Sequence, residues 1–313
     1  MIKIYLTDDG VTKTIDEPVE GCWINMVNPT EKELNRIIEK YQLDPDDLKA
    51  ALDEEEISRI DNEDNYSLVL FDIPTVEERN EKNRFVTIPL GVIIHKEAII
   101  TVCLEKTSVL DLYSGKKSSA FSTRMKTRFL LQVLLNNAKL YLKNLRVINK
   151  QSEELEKNLH DATENRALID MMELGKSLLY FTTSLKSISG VLDKLVKVES
   201  IKKYPEDEEL MEDVMIENRQ ALEMSEVYSG ILNGMMDAYA SIIANNMNVV
   251  MKFLAIATII LSIPNIITGM YGMNLADGAL PLANGPYSFW IISLIGVVLT
   301  VAAWYYFKHK RMY

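Results

Sequence analysis

Two uncharged runs near the C-terminus constrain this chain more than any other feature. From Phe253 to Met270 it reads FLAIATIILSIPNIITGM, and from Ser288 to Phe307 it reads SFWIISLIGVVLTVAAWYYF. A helix crosses a hydrocarbon core of about 30 Å with about 20 apolar residues, and each run is long enough. A single run of this kind also describes a buried core helix. Two in succession, separated only by residues 271–287, predict a pair of transmembrane helices.

The flanks give the orientation. Lys252 precedes the first run, Lys308, Lys310 and Arg311 follow the second, and residues 271–287 contain neither Lys nor Arg. Cationic flanks stay on the cytoplasmic side, so both termini are expected inside and the connection outside, in the cell (plasma) membrane. Trp290, Trp304, Tyr305 and Tyr306 suit anchoring at the two interfaces. The opening MIKIYLTDDG is too poor in apolar residues and too acidic to be a signal peptide.

Ahead of the runs the chain reads as a water-soluble body. Of its 45 acidic residues, only Asp277 lies beyond Asp237, and the net charge is -11. That balance opposes general nucleic-acid binding, which needs a basic surface, and it favours cations. Cys22 and Cys103 lie in strand-like segments and read as reduced core thiols. No metal-type spacing joins them to the scattered His95, His160 and His309. Neither a nucleophile–base pairing, a P-loop nor a zinc signature occurs, so no enzyme and no organic cofactor are expected.

Residues 1–120 carry strand signals in MIKIYL, CWINMV, YSLVLFDI, FVTIPLGVIIH and AIITVCL. NPTEKELNRIIEKYQL opens like a helix, with Thr30 before acidic residues and Leu34, Ile37, Ile38 and Tyr41 at helical spacing. An α/β domain is predicted there. Over 121–205 the apolar period becomes helical, giving two long helices (about Thr123–Asp161 and Thr163–Ser200) that turn near HDATEN. KKYPEDEEL then starts a new helix at Pro205 that runs from Glu206 to Met270 without a stop, as a stalk entering the membrane at about residue 250. Its ~65 residues would be ~100 Å long, far more than a bilayer holds, so the stalk needs partners for its apolar face and an oligomer is expected. The predicted layout is therefore an α+β membrane protein, with a loop at 271–287, a second span at 288–307 and a basic tail at 308–313.

A polar stripe descends the first span. Ala244, Asn248, Met251, Ala255, Thr258, Ser262, Asn265 and Gly269 follow one another at alternating spacings of four and three, a heptad seam. Small and hydroxyl residues favour close helix packing in membranes, one reading of the seam. The other is a water-lined pore around a symmetry axis, supported by Asn265, whose carboxamide is costly at membrane depth without a partner or water. Pro264 beside it suggests a local adjustment of the helix. The stripe has no carboxylate to strip water from a cation. Mg2+ keeps its waters tenaciously, so rings of neutral oxygens suit a hydrated divalent ion.

YGMN, at Tyr271 to Asn274 and closing the first of two C-terminal spans, resembles the signature of the CorA family of magnesium and cobalt channels. MKFLAIATIILSIPNIITG and WINMVNPTEKEL also resemble family sequence, and the layout matches along the whole chain. The resemblance implies a homopentamer in the lipid bilayer that carries divalent cations. Asn274 would form a ring at the outer mouth, with Gly272 and Met273 holding the turn. Asn248, Met251, Leu254, Ala255, Thr258, Ser262 and Asn265 would line the pore, Met251 and Leu254 at its apolar constriction. Lys252, Lys308, Lys310 and Arg311 would form a basic collar at the inner end. Mg2+ would be both cargo and regulator, closing the channel from carboxylates between protomers. Asp213 stands where the sensing aspartate is expected; the family's Pro-x-x-Leu-Glu-Asp reads PDDLKA, with Lys49-Ala50 for the acidic pair. Asp46, Asp47, Asp53 and the run Glu54 to Glu56 are the nearby substitutes. A Zn2+ or Ni2+ transporter of the same superfamily is the alternative, and a non-conducting membrane-anchored sensor or scaffold is a third reading.

Overall fold

β-branched and aromatic residues place seven strands in the first part of the chain: β1 (Ile2–Asp8), β2 (Val11–Ile15), β3 (Cys22–Val27), β4 (Arg59–Asn62), β5 (Tyr66–Arg79), β6 (Lys82–His95) and β7 (Ala98–Cys103). They form one sheet in the order β2-β1-β3-β7-β6-β5-β4. Neighbours are antiparallel except β3 and β7, which run parallel with Cys22 opposite Ala98 and Val27 opposite Cys103. This computed structural model describes residues 1–8, 11–79, 82–111, 122–158, 165–197, 207–273, 281–282 and 285–310. The expected turns at 112–121, at HDATEN and at 198–206 lie outside the described residues, as do Asn274 and Arg311.

The helices are α1 (Glu31–Tyr41), α2 (Pro45–Ala50), α3 (Ser108–Asp111), α4 (Lys126–Asn158), α5 (Asn165–Leu195), α6 (Glu208–Tyr271) and α7 (Ser288–His309). Thr30 caps α1 through a reciprocal box: its amide donates to Glu33 Oε2 at 2.9 Å and its hydroxyl accepts from the Glu33 amide at 3.4 Å. α6 passes straight through Gly230 and Gly234, where an added Cβ would meet nothing. Those glycines weaken the helix without ending it.

The chain divides into two units, Met1–Met236 and Asp237–Tyr313. In the first, the sheet is covered on both faces. Leu34, Ile37 and Leu48 of α1 and α2 close one face, over Ile24, Met26, Leu68, Leu70 and Ile100. α2 lies close because β6 offers a glycine there: a Cβ on Gly91 would stand 2.8 Å from that of Ala51. The opposite face holds Trp23, which meets Phe129 of α4 at 5.2 Å, and farther along β6 Phe85 meets Phe181 of α5 at 6.3 Å.

β2 and β4 are the strands that the hydrophobic pattern does not announce. Both lie at sheet edges, and VTKTI and RIDN carry the polar residues that protect an edge from further pairing. β5 and β6 also run beyond the apolar segments that mark them. Pro74 fits in β5 because β4 pairs only with Ser67 to Leu70, which leaves the strand open on one side at residue 74.

One carboxyl is buried between sheet and helices. Ser184 Oγ of α5 donates to Asp72 Oδ2 at 2.5 Å, while Asn137 Nδ2 and Tyr141 Oη of α4 donate to the Asp72 carbonyl at 2.9 and 3.3 Å. Burial raises the Asp72 pKa, and the Ser184 hydrogen bond opposes that only in part. A folded pKa above the unfolded one gives stability at low pH that is lost as pH rises through the folded value. Asp72→Asn should therefore raise the unfolding midpoint at neutral pH, and the gain should vanish below about pH 4, the ordinary aspartate value. Thermal unfolding of both proteins from pH 3.5 to 8 measures this; a gain that is constant across the range would contradict it.

Candidate functional site

α6 and α7 are both long and apolar enough to cross a membrane, and only 6% of either apolar window is buried by the chain itself. Surfaces such as Phe253, Leu261, Phe289 and Leu294, all more than half exposed, require an apolar medium. The two helices pack as an antiparallel pair. Pro264, Ile267 and Thr268 of α6 face Ile292, Ser293, Gly296, Thr300 and neighbours of α7 across a groove of about 370 Å3. Gly296 is the close point, where an added Cβ would stand 3.8 Å from Ile267 Cδ1.

This packing assigns faces to α6. Ile256 is buried, and Ile260, Ile263 and Ile267 are half-buried, so one line of isoleucines marks the α7 side. Asn248, Met251, Ala255, Thr258, Ser262 and Asn265 lie on the other side of the helix, as their offsets at 100° per residue require. All are exposed except Ser262, which is half-buried, and Leu254 beside them is exposed as well. Thr268, the one polar residue of the span off the stripe, sits on the α7 side and donates to the carbonyls of Pro264 and Asn265 at 3.0 and 3.2 Å.

The hydroxyls of the stripe spend their protons on their own helix. Thr258 Oγ1 donates to the Leu254 carbonyl and Ser262 Oγ to the Ile259 carbonyl, each at 2.8 Å. What each hydroxyl offers outward is therefore an acceptor oxygen. At the end of α6, Gly272 still donates to the Thr268 carbonyl at 2.9 Å and Met273 to the Met270 carbonyl at 3.4 Å. Tyr271 Oη reaches across to the Pro281 carbonyl at 2.9 Å and ties the two sides of the connection. Gly272 and Met273 are exposed at this edge; Asn274, the next residue, is not among those described.

Ile267 meets Gly296, so the antiparallel register puts Lys252 at the level of Lys310. Both of these and Lys308 are exposed. Lys308 Nζ lies 4.8 Å above the Trp304 ring and Lys310 Nζ 5.3 Å above that of Tyr306, a cation–aromatic arrangement suited to a membrane interface.

The acidic candidates are dispersed. Asp46 and Asp47 occupy the first turn of α2, Asp53 follows that helix, and Asp213 is exposed on α6. Among the described residues no three His, Cys, Asp or Glu side chains assemble into a group able to hold a metal. Asp47 and Asp53, and Asp44 beside them, have local tasks that the sequence did not reveal. Asp44 Oδ1 caps α2 by accepting from the Asp46 amide at 2.8 Å. Asp47 Oδ2 accepts from Tyr66 Oη at 2.7 Å, and that same oxygen of Tyr66 accepts from the Asp44 amide at 3.0 Å. Asp53 Oδ1 accepts from the Glu55 amide at 3.1 Å. A tyrosine some twenty residues downstream gives no sequence signal of such a contact.

Residues 20–309 match the family model described as CorA-like Mg2+ transporter protein. The cobalt/magnesium transport protein CorA of Methanocaldococcus jannaschii is 32% identical over 293 residues, 92% of this chain and 90% of that protein. The protein of the same name from Thermotoga maritima is 25% identical over 165 residues, 53% of this chain and 43% of that one. In three dimensions the complete CorA magnesium transporter of M. jannaschii superposes with a TM-score of 0.82 at 26% identity, covering 98% of this chain and 97% of the other.

The close point at Gly296 yields a graded test of the helix pair. Gly296→Ala adds an ordinary contact and should change stability by no more than ~0.5 kcal/mol. Gly296→Leu overfills the same place and should cost ~1–3 kcal/mol. Thermal unfolding in detergent distinguishes them; equal midpoints for the two variants would refute the packing.

Proposed function

Since the chain belongs to the CorA family of Mg2+ transporter proteins, we propose that it carries Mg2+, and Co2+ with it, through a conduit lined by α6. The carrying observation is the arrangement of the first span, whose polar residues other than Thr268 lie away from α7. A polar stripe at membrane depth is stable where water or a partner meets it. Copies of α6 around an axis supply both, and the family resemblance implies five.

The chemistry of the stripe supports a hydrated ion. The water shell of a cation points its hydrogens outward and seeks acceptors. Thr258 and Ser262 present such oxygens because their own protons are already used within the helix, and Asn248 and Asn265 add carboxamide oxygens. No carboxylate competes to dehydrate the ion, which favours Mg2+ with several waters retained. Asn274, with Gly272 and Met273 shaping the approach, is the entry ring of this proposal. Met251 and Leu254 form its apolar constriction, and Lys252, Lys308, Lys310 and Arg311 its inner collar. The membrane potential drives inward flow at about 2.3 kcal/mol per charge for each 100 mV.

Regulation is proposed to come from carboxylates of different copies. Asp213 on α6, with Asp46 or Asp53 of a neighbour, would bind internal Mg2+ and hold the closed assembly. Loss of the ion would leave like charges opposed and favour opening. Asp47 is the weakest member of that set, because Tyr66 already occupies one of its oxygens.

In cells lacking Mg2+ uptake and grown at low external Mg2+, the wild-type chain should restore growth. Asn274→Ala should lower uptake roughly tenfold, as the loss of an interaction worth about 1.4 kcal/mol in the barrier does. Equal rescue by both would remove Asn274 from the conduit, and failure of the wild type to take up Mg2+ or Co2+ would remove the transport reading.

A further inference from the structure

Charge is segregated between two helices of the first unit. α4 carries six cations and no carboxylate from Lys126 to Ser152, in a chain whose net charge is -11. Lys139, Lys143, Arg146 and Lys150 are spaced by four, three and four, so they share one narrow stripe about 16 Å long. All four are exposed, and among the described residues none takes part in an ion pair or hydrogen bond. Like charges at these spacings repel along a helix, and no carboxylate among the described residues pairs with them.

α6 has the opposite bias over the same unit. From Glu208 to Met236 it carries seven acids against a single cation, Arg219. Glu209, Glu212 and Glu223 fall within one exposed arc about 21 Å long, and among the described residues they too are unpaired. The inward face of this part of α6 is a different one. Val214, Asn218, Ala221, Ser225 and Leu232 are buried, with Asn218 Nδ2 donating to Ser189 Oγ at 2.9 Å and Ser225 Oγ lying 2.8 Å from Thr182 Oγ1. Helical geometry puts the acidic arc opposite that seat, so the basic stripe of the same chain is not its partner.

We propose that the basic stripe of α4 docks on the acidic arc of α6 in a second copy of this chain. The two surfaces are opposite in charge and comparable in length, and two helices that face each other along such stripes can lie side by side at a shallow angle. Where each copy gives its basic stripe to one neighbour and its acidic arc to another, the contact is heterologous and propagates from copy to copy until a ring closes. This inference rests on the proposed assembly around an axis and names the surfaces that set it. Its strength falls with ionic strength, since both stripes remain near solvent.

The test uses the full chain purified in detergent, with assembly followed by native mass spectrometry and light scattering at 50 and 500 mM salt. The double variant Lys143→Glu/Arg146→Glu should raise the dissociation constant at least tenfold at low salt. Adding Glu209→Lys/Glu212→Lys in the same chain should restore assembly, a recovery that misfolding would not produce. If the wild type assembles and the double variant assembles with the same salt dependence, the contact is refuted while the ring reading stands. A wild type that is monomeric at both salts refutes the two together. Loss of co-purified anionic phospholipid from the double variant, with assembly unchanged, would give the stripe to lipid and overturn the proposal.

Discussion

A polar side chain placed within hydrocarbon must be met by water or by another polar group, and the second unit is organised around that demand. α6 gives Ile256, Ile260, Ile263 and Ile267 to α7 and keeps Thr258, Ser262 and Asn265 on the other side. The helix pair therefore buries apolar surface against itself and leaves its polar line unanswered. Gly296 permits the close approach that fixes which side is which. In a membrane such a pair is an incomplete object, and the assembly proposed above is what would complete it.

The hydroxyl geometry refines what the line can do. A threonine or serine whose proton is bonded to the preceding turn is no longer free to donate outward. It becomes an acceptor of fixed direction, as are Thr258 and Ser262. Acceptors without charge suit the outer hydrogens of a water-clad cation better than they suit a bare ion or an anion. The same reasoning explains why carboxylates are absent from the span yet abundant in the first unit, where solvent can support them.

Much of this was legible before the structure. Uncharged runs of membrane length, the heptad spacing of the stripe and the Thr30–Glu33 capping box are local patterns, and local patterns survive in sequence. The edge strands β2 and β4 were not legible, because VTKTI and RIDN owe their conformation to neighbours distant in the chain. The task of Asp47 was hidden for the same reason: its tyrosine partner reaches it only once β5 has paired and α2 has docked. Asp46, Asp47, Asp53 and Glu54 to Glu56 were read as substitutes in a metal site, whereas Asp47 and Asp53 each hold a local hydrogen bond. Counting carboxylates along a chain does not reveal which oxygens are already engaged.

The central claim is that α6 presents one particular face to the permeating ion, and thiol accessibility tests it most directly. Cys22 and Cys103 are free but fully buried, so an introduced cysteine is the reactive one. Asn265→Cys and Ile267→Cys differ little in depth and point to opposite sides of the helix. With the protein in liposomes and Mg2+ influx followed by an internal fluorescent indicator, a charged thiol reagent should block flux through Asn265→Cys and spare Ile267→Cys. Block of Ile267→Cys with Asn265→Cys unaffected, or equal effects on both, would contradict the account.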